Sequence, residues 1–68
     1  MSQNAQILGH LKREPLTSLE ALQLFGCMRL ASRINELRYQ GYTINTEMVQ
    51  QNGKKWARYH LLNKKPLD

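Results

Sequence analysis

Hydrophobic periodicity changes once along this chain of 68 residues, near Gly41. Before Gly41, apolar side chains recur three and four positions apart, which is the spacing of one helix face. After Gly41, apolar and polar side chains alternate, which is typical of a strand with one buried face. A single change of this kind in so short a chain predicts helices followed by strands within one small domain.

The first predicted helix spans about residues 5–13 and ends before Pro15, which cannot continue a helix. Asn4 or Ser2 is available to cap its N-terminus. The helix also carries His10, in a context that predicts a surface position. Its apolar side chains at helical spacing are Ile7, Leu8 and Leu11.

The second predicted helix, from about Ser18 to Phe25, begins with a capping box. Thr17 can accept a hydrogen bond from the Glu20 amide while the Glu20 carboxylate reaches back to the cap. Gly26 suits the left-handed backbone position that ends many helices. The apolar stripe of this helix is expected at Leu19, Leu22 and Phe25, beside Ala21 and Leu24.

The third predicted helix runs from about Met28 to Gln40, and Gly41 ends it. Cys27, just before the helix, is expected to be a small core residue rather than a reactive thiol, because no general base lies beside it. The apolar stripe of the helix is Leu30, Ile34 and Leu37, with Ala31 at its edge. The expected outward face carries Arg29, Ser32, Arg33, Glu36 and Gln40, with Asn35 and Tyr39 toward one side.

Asn52-Gly53 predicts the two-residue turn of a β-hairpin, because both residues tolerate positive φ. Counting outward from this turn pairs Gln51 with Lys54, Val49 with Trp56, Glu47 with Arg58, Thr46 with Tyr59 and Ile44 with Leu61. This register places one alternating set on a common face, namely Ile44, Thr46, Met48, Ala57, Tyr59 and Leu61. We expect Trp56 to pack with Val49 on the other face, and an aromatic anchor for a protein partner is the alternative.

Three helices followed by a two-stranded hairpin make an α+β fold, in the order of a winged helix-turn-helix domain. We assign this domain to residues 1–62 and expect residues 63–68 to form a flexible basic tail. In a helix-turn-helix, the later helix lies in the major groove of DNA, and its first turns reach the base edges. The outward arginines and Ser32 can therefore bond to bases or phosphates. A solvated helix face without a partner is the alternative.

Positive charge accumulates toward the C-terminal half of the chain. Ten Lys and Arg face five Asp and Glu, for a formal net charge of +5. This asymmetry indicates a polyanionic partner, or else a basic surface that favours solubility. Lys54 and Lys55 at the hairpin tip can reach phosphates or the minor groove, or can protect a strand edge from aggregation. The candidate DNA contacts are Arg29, Ser32, Arg33, Glu36, Gln40, Lys54, Lys55 and Arg58.

No residue pattern in the chain predicts catalysis, a cofactor or a bound metal. His10 and His60 are expected at surface positions away from any nucleophile, and the glutamates form no pair for acid–base chemistry. The sequence has no glycine-rich phosphate loop, and its single cysteine allows neither an intrachain disulfide nor a CxxC pair. It shows no signal peptide and no apolar run of membrane-spanning length. We therefore expect a soluble, cytoplasmic protein that is not an enzyme.

Several runs of the sequence carry a family resemblance: "ILGHL" at 7–11, "PLTSLEA" at 15–21, "GCMRLASRINEL" at 26–37, "GYTI" at 41–44 and "ARYHL" at 57–61. They resemble the small winged helix-turn-helix proteins of bacteriophages and prophages. The resemblance covers about Gln6 to Leu62. It implies a phage or prophage source, hence a bacterial host cytoplasm, with double-stranded DNA as the partner and a regulatory or DNA-architectural role.

Two other functions remain open at the level of the sequence. The domain could bind or inhibit a host or phage protein, with its cations facing an acidic surface and Trp56 or Tyr39 as the anchor. It could also bend DNA in the manner of an excisionase, a role that the sequence does not separate from repression. We expect a monomer or a weak homodimer, because no heptad or additional helix is left for a dimer interface.

Overall fold

The computed structural model describes residues 3–62. Three helices precede a hairpin of two long strands, which confirms the predicted α+β order. The strands form one antiparallel sheet in the order β1-β3-β2. The elements are α1 (Gln3–Leu11), β1 (Leu16–Thr17), α2 (Ser18–Phe25), α3 (Leu30–Tyr39), β2 (Ile44–Gln51) and β3 (Lys54–Leu61). Ser2, expected as a possible cap, and the expected basic tail at 63–68 lie outside the described residues.

The first helix is shifted toward the N-terminus relative to the prediction, because α1 already includes Gln3. Asn4 therefore lies inside the helix, and its predicted capping role is wrong. Its side-chain amide donates instead to Oε1 of Glu36 at 2.7 Å. This bond ties the start of α1 to α3.

His10 is buried, so the surface position predicted for it is wrong. It shares the inward face of α1 with Ile7 and Leu11. Its Nε2 atom lies 3.1 Å from the carbonyl oxygen of Pro15, and its ring meets the Phe25 ring edge-on with 6.1 Å between centroids. Burial is tolerated because the polar ring atom keeps a hydrogen-bond partner.

Both ends of α2 agree with the prediction. The Thr17 side chain accepts from the Glu20 amide at 3.2 Å, and the Glu20 carboxylate accepts from the Thr17 amide at 2.9 Å. Gly26 has φ 64° and caps the C-terminus in the left-handed region. The sequence thus determines where this helix begins and ends.

The predicted apolar stripe of α2 is wrong. Only Ala21 is buried and Phe25 is half-buried, whereas Leu19 and Leu22 are 62% and 46% exposed. Leu24 is exposed as well. The side of this eight-residue helix that faces the core carries Ala21 and Phe25, which are neighbours at i and i+4 on one helix face.

The two-residue strand β1 was not predicted. Leu16 pairs with Tyr59 and Thr17 with Arg58, so the chain leading into α2 joins the sheet beside β3. The Leu16 side chain is fully buried. Two residues are too few to show an alternating pattern, which is why periodicity did not reveal this strand.

The third helix is shorter than predicted, since Arg29 is its N-cap residue and Gln40 its C-cap residue. Its predicted buried stripe is confirmed. All the predicted pairs of the hairpin are confirmed as well, with Asn52 at φ 53° and Gly53 at φ 77° in the turn. We call the hairpin from Ile44 to Leu61 the wing.

One hydrophobic core holds the three helices against the base of the wing. Cys27 belongs to it and is 2% exposed, which confirms its predicted burial. The common face predicted for the hairpin is buried only near its base, and Met48 toward the tip is 64% exposed. The outer part of the wing therefore projects beyond the core. The core residues are Ile7, Leu11, Leu16, Ala21, Cys27, Leu30, Ile34, Leu37, Ile44 and Tyr59.

Candidate nucleic-acid interface

The exposed face of α3 is defined by its buried stripe of Leu30, Ile34 and Leu37. With about 100° between successive helical residues, the positions opposite this stripe are Ser32, Asn35, Glu36 and Tyr39. Tyr39 is the most exposed of them, at 95%. The centre of the exposed face therefore lies closer to Asn35 and Tyr39 than the sequence analysis placed it.

Arg33 lies on the flank of this face that is turned toward α1. Its Nη1 atom donates to both carboxylate oxygens of Glu36, at 3.0 and 3.2 Å. The same carboxylate accepts the bond from Asn4 of α1. The Arg33 side chain is 34% exposed. It is thus held in one orientation while most of its N–H donors remain unused in this contact.

Arg29, Ser32 and Gln40 lie at the two ends of α3. Arg29 is exposed and precedes the first helical turn, because it is the N-cap residue, and its side chain makes no capping bond. Ser32 is half-buried within that first turn. Gln40 is exposed at the C-cap, about eleven residues after Arg29, on the flank that also borders Asn4 and Leu8. The N-terminal end of α3 therefore brings Arg29, Ser32 and Arg33 together, whereas Gln40 lies at the other end of the helix.

Arg38 joins α3 to the wing. Its Nε and Nη2 atoms donate to the main-chain carbonyl oxygen of Ile44 at 3.2 and 2.7 Å. Nη2 also donates to the Thr46 hydroxyl at 3.1 Å. Because these bonds come from the flank of α3 opposite Arg33, they position the first strand of the wing beside the exposed helix face.

The wing tip carries two cations on an exposed turn. Lys54 and Lys55 follow the Asn52-Gly53 turn directly, and both are exposed. Within residues 3–62 neither lysine takes part in an ion pair. Their charges are therefore available to an external anion.

Arg58, in contrast, lies in the middle of β3 and is partly neutralised. Its Nη1 atom is 3.6 Å from Oε1 of Glu47, its partner in the predicted register. His60 Nε2 lies 2.8 Å from the same oxygen, and this hydrogen bond is the main cause that lowers the pKa of Glu47 below its ordinary value. The Arg58 charge lowers the pKa of Glu47 further, whereas partial desolvation opposes both effects.

The structure thus places the predicted site residues in four places: the N-terminal part of α3 as far as Glu36, the C-cap of α3 with Gln40, the wing tip, and the middle of β3. Sequence reasoning missed Arg38, since a bond to a main-chain carbonyl leaves no side-chain pattern. It gave Asn35 and Tyr39 a marginal position, although the spacing of Leu30, Ile34 and Leu37 is the signal that centres the face on them.

We also looked for metal-binding clusters and for membrane-spanning helices in the described part of the chain. No cluster of three or more His, Cys, Asp or Glu side chains within residues 3–62 is arranged to hold a metal ion. None of the three helices combines the length and the apolar composition that crossing a bilayer requires.

Three comparisons with known proteins were informative to different degrees, and the one with family models agrees with this geometry. No curated protein and no solved structure matches the chain significantly. A family model described as a winged helix-turn-helix domain matches residues 2–64. Domains of this type are typically non-catalytic and bind DNA. With three helices, a projecting hairpin and a family match over nearly its whole length, the chain belongs to the winged helix-turn-helix domain family.

Proposed function

We propose that this protein binds double-stranded DNA with a sequence preference and acts as a transcriptional regulator of phage or prophage type in the bacterial cytoplasm. In this arrangement α3 enters the major groove, and the wing follows the phosphate backbone or the adjacent minor groove. Arg29, Ser32 and Arg33 supply the contacts to base edges or flanking phosphates. Lys54 and Lys55 supply contacts to phosphates.

The bonds from Arg38 to β2 carry this proposal. A helix in the major groove and a hairpin on the backbone can act together only if their relative position is fixed. Arg38 fixes it with two donors on the Ile44 carbonyl and one on the Thr46 hydroxyl. The wing therefore extends from the same helix that would read the bases, and the two elements form one unit.

The distribution of charge supports the same proposal. Arg29, Lys54 and Lys55 are exposed cations that make no ion pair within residues 3–62. Cations of this kind release counterions when they bind phosphates, which makes affinity depend on salt. Glu36 is the acidic exception on the α3 face, and it is engaged by Arg33 and Asn4.

The regulatory role and the phage source rest on the resemblance in sequence described above. A small domain that prefers one DNA sequence can control a promoter by occupying it. Fold alone does not determine this role. Selection of a preferred sequence is therefore the informative measurement.

The test is a fluorescence-anisotropy titration of unrelated duplexes at low and high salt, followed by selection of preferred sequences from a random duplex pool. We expect binding at about 50 mM salt, a linear decrease of log affinity with log salt, and enrichment of one short sequence. Absence of binding at about 50 mM salt, or an affinity that does not change with salt, would contradict the proposal. Enrichment of no sequence would restrict the function to non-specific DNA binding.

A further inference from the structure

The outer edge of β3 is open over the half that leads to the wing tip. Pairing with β1 ends at Arg58, where α2 begins and the chain leaves the sheet. In a hairpin with a two-residue turn, main-chain groups point alternately toward the partner strand and away from it. The Leu62 N–H donates to the Thr43 carbonyl oxygen at 2.8 Å. Main-chain groups of Leu62 therefore face β2, and counting back along β3 from Leu62 tells which residues face away. The main-chain groups of Lys55 and the N–H of Ala57 therefore face away from β2 beyond the end of the pairing with β1, and Lys55 has no strand partner on that side within residues 3–62.

A groove of about 690 Å³ lies beside this open edge. Its apolar walls are Trp56 on β3 and, on the side of α2, Leu19 and Pro15. Leu19 is 62% exposed, and it is one of the leucines that the core does not cover. The volume lies within the range of about 300–1,000 Å³ that is typical of binding sites.

The groove is lined by charges of both signs. Lys54 and Lys55 lie at its β3 edge and take part in no ion pair within the described residues, whereas Arg58 is paired with Glu47. Glu14 and Glu20 also border the groove and keep their negative charges. An acidic occupant therefore complements the two unpaired lysines at the β3 edge.

We propose that the open edge of β3 and this groove bind an extended acidic segment of another protein, which adds to the sheet in line with β1. Its main chain would bond to Lys55 and Ala57, in the manner of strand addition to a free sheet edge. One of its apolar side chains would lie between Trp56 and Leu19, and its carboxylates would face Lys54 and Lys55. This surface lies apart from the exposed face of α3, but it shares Lys54 and Lys55 with the proposed phosphate contacts of the wing, so a bound acidic segment would compete with DNA for those two lysines.

A second copy of the chain fits the groove less well. If two β3 edges paired with each other, the lysines of both copies would be brought together, and like charges on paired strands destabilise the pairing. The same lysines are a common protection of exposed edges against self-association. The occupant is for this reason taken to be a different, acidic chain.

The test is selection from a displayed library of extended peptides, followed by a titration of the best peptide. Trp56 is the only tryptophan of the chain, so its fluorescence reports directly on the groove. We expect the selected peptides to alternate apolar and acidic residues, and binding to shift the Trp56 emission to shorter wavelength. Leu19→Gln should weaken binding by about tenfold or more, since the apolar contact is lost.

Leu24→Gln is the matched control, because Leu24 is 58% exposed on the same helix but does not line the groove. It should leave peptide affinity unchanged, and both variants should retain the wild-type affinity for duplex DNA. Ala57→Pro, which removes an edge N–H, should also abolish peptide binding. Selection of peptides without acidic residues, an equal loss in Leu19→Gln and Leu24→Gln, or a Leu19-dependent dimer in light scattering would each overturn the proposal.

Discussion

The Arg33 guanidinium and the Glu36 carboxylate form a close ion pair on α3, with Nη1 at 3.0 and 3.2 Å from the two carboxylate oxygens. Because Asn4 donates to the same carboxylate, the pair is connected to α1 as well. Exposed pairs of this kind add little to stability. Their value here is geometric, since a guanidinium held through one nitrogen keeps its other donors in a fixed direction.

The first prediction concerns this pair. Arg33→Ala should lose roughly 1–3 kcal/mol of binding free energy on a preferred duplex and much less on random DNA, because a base contact carries the difference. Glu36→Gln should act differently, since it removes a negative charge near the phosphates and releases Arg33. We expect Glu36→Gln to raise affinity for random DNA while reducing discrimination between sequences. Parallel anisotropy titrations of both variants measure this, and equal losses on both kinds of DNA would contradict a base contact by Arg33.

The second prediction concerns the wing tip. Replacing Lys54 and Lys55 by alanine should weaken binding to all sequences alike and flatten the salt dependence by about one unit per lost phosphate contact. The matched control replaces Lys12 and Arg13, also by alanine; they form another exposed basic pair in the turn after α1, near His60 at the far end of the hairpin. This control changes the net charge by the same amount and should leave the slope nearly unchanged. If both double variants lower the slope equally, net charge rather than the wing explains the binding.

The third prediction concerns the core beneath α3. Ile34 is fully buried, so Ile34→Ala should cost roughly 2–5 kcal/mol of unfolding free energy through lost contacts and a residual cavity. Tyr39→Ala, on the 95% exposed side of the same helix, should change stability by less than about 0.5 kcal/mol. Urea unfolding followed by circular dichroism measures both. Similar costs for the two variants would mean that α3 presents a different face to the core.

The hairpin shows how far sequence could predict this fold. Its register follows from Asn52-Gly53 and from the alternation of Ile44 with its neighbours, both of which are local features. The capping box of α2 is local in the same way. These elements agree with the structure because short-range chemistry is sufficient to define them.

Other features depend on contacts between distant segments, and sequence could not supply those. The side of α2 that faces the core is set by packing, so the exposure of Leu19 and Leu22 was not predictable from their spacing. β1 exists only because β3 offers it a partner. The bonds of Arg38 and His10 are closer in sequence, six and five residues along the chain, but the carbonyls that they reach come within range only through the folded turns between them.

The fourth prediction compares two glycines with open space around them. Nothing lies within 4 Å of a Cβ added at Gly9 or at Gly26, but Gly26 has φ +64° at the end of α2. Gly26→Ala should therefore cost about 1–2 kcal/mol through backbone strain alone. Gly9→Ala, inside α1, should instead stabilise the protein by about 0.5–1 kcal/mol, because alanine is the better helix former. Thermal unfolding of both variants measures the difference, and destabilisation by both would show that space rather than φ is limiting.

The fifth prediction concerns pH and the outer face of the wing. The hydrogen bond from His60, helped by the Arg58 charge, holds the pKa of Glu47 below its ordinary value of 4.5. A carboxyl whose pKa is lower in the folded than in the unfolded state binds fewer protons when folded, so its stabilising effect is present above pH 4.5. The effect is lost as pH falls from 4.5 through the lowered pKa. Wild type should therefore melt at a higher Tm than Glu47→Gln near neutral pH, and the two Tm values should converge in acid. A Tm difference that stays constant across this range would show that Glu47 acts through packing and not through its charge.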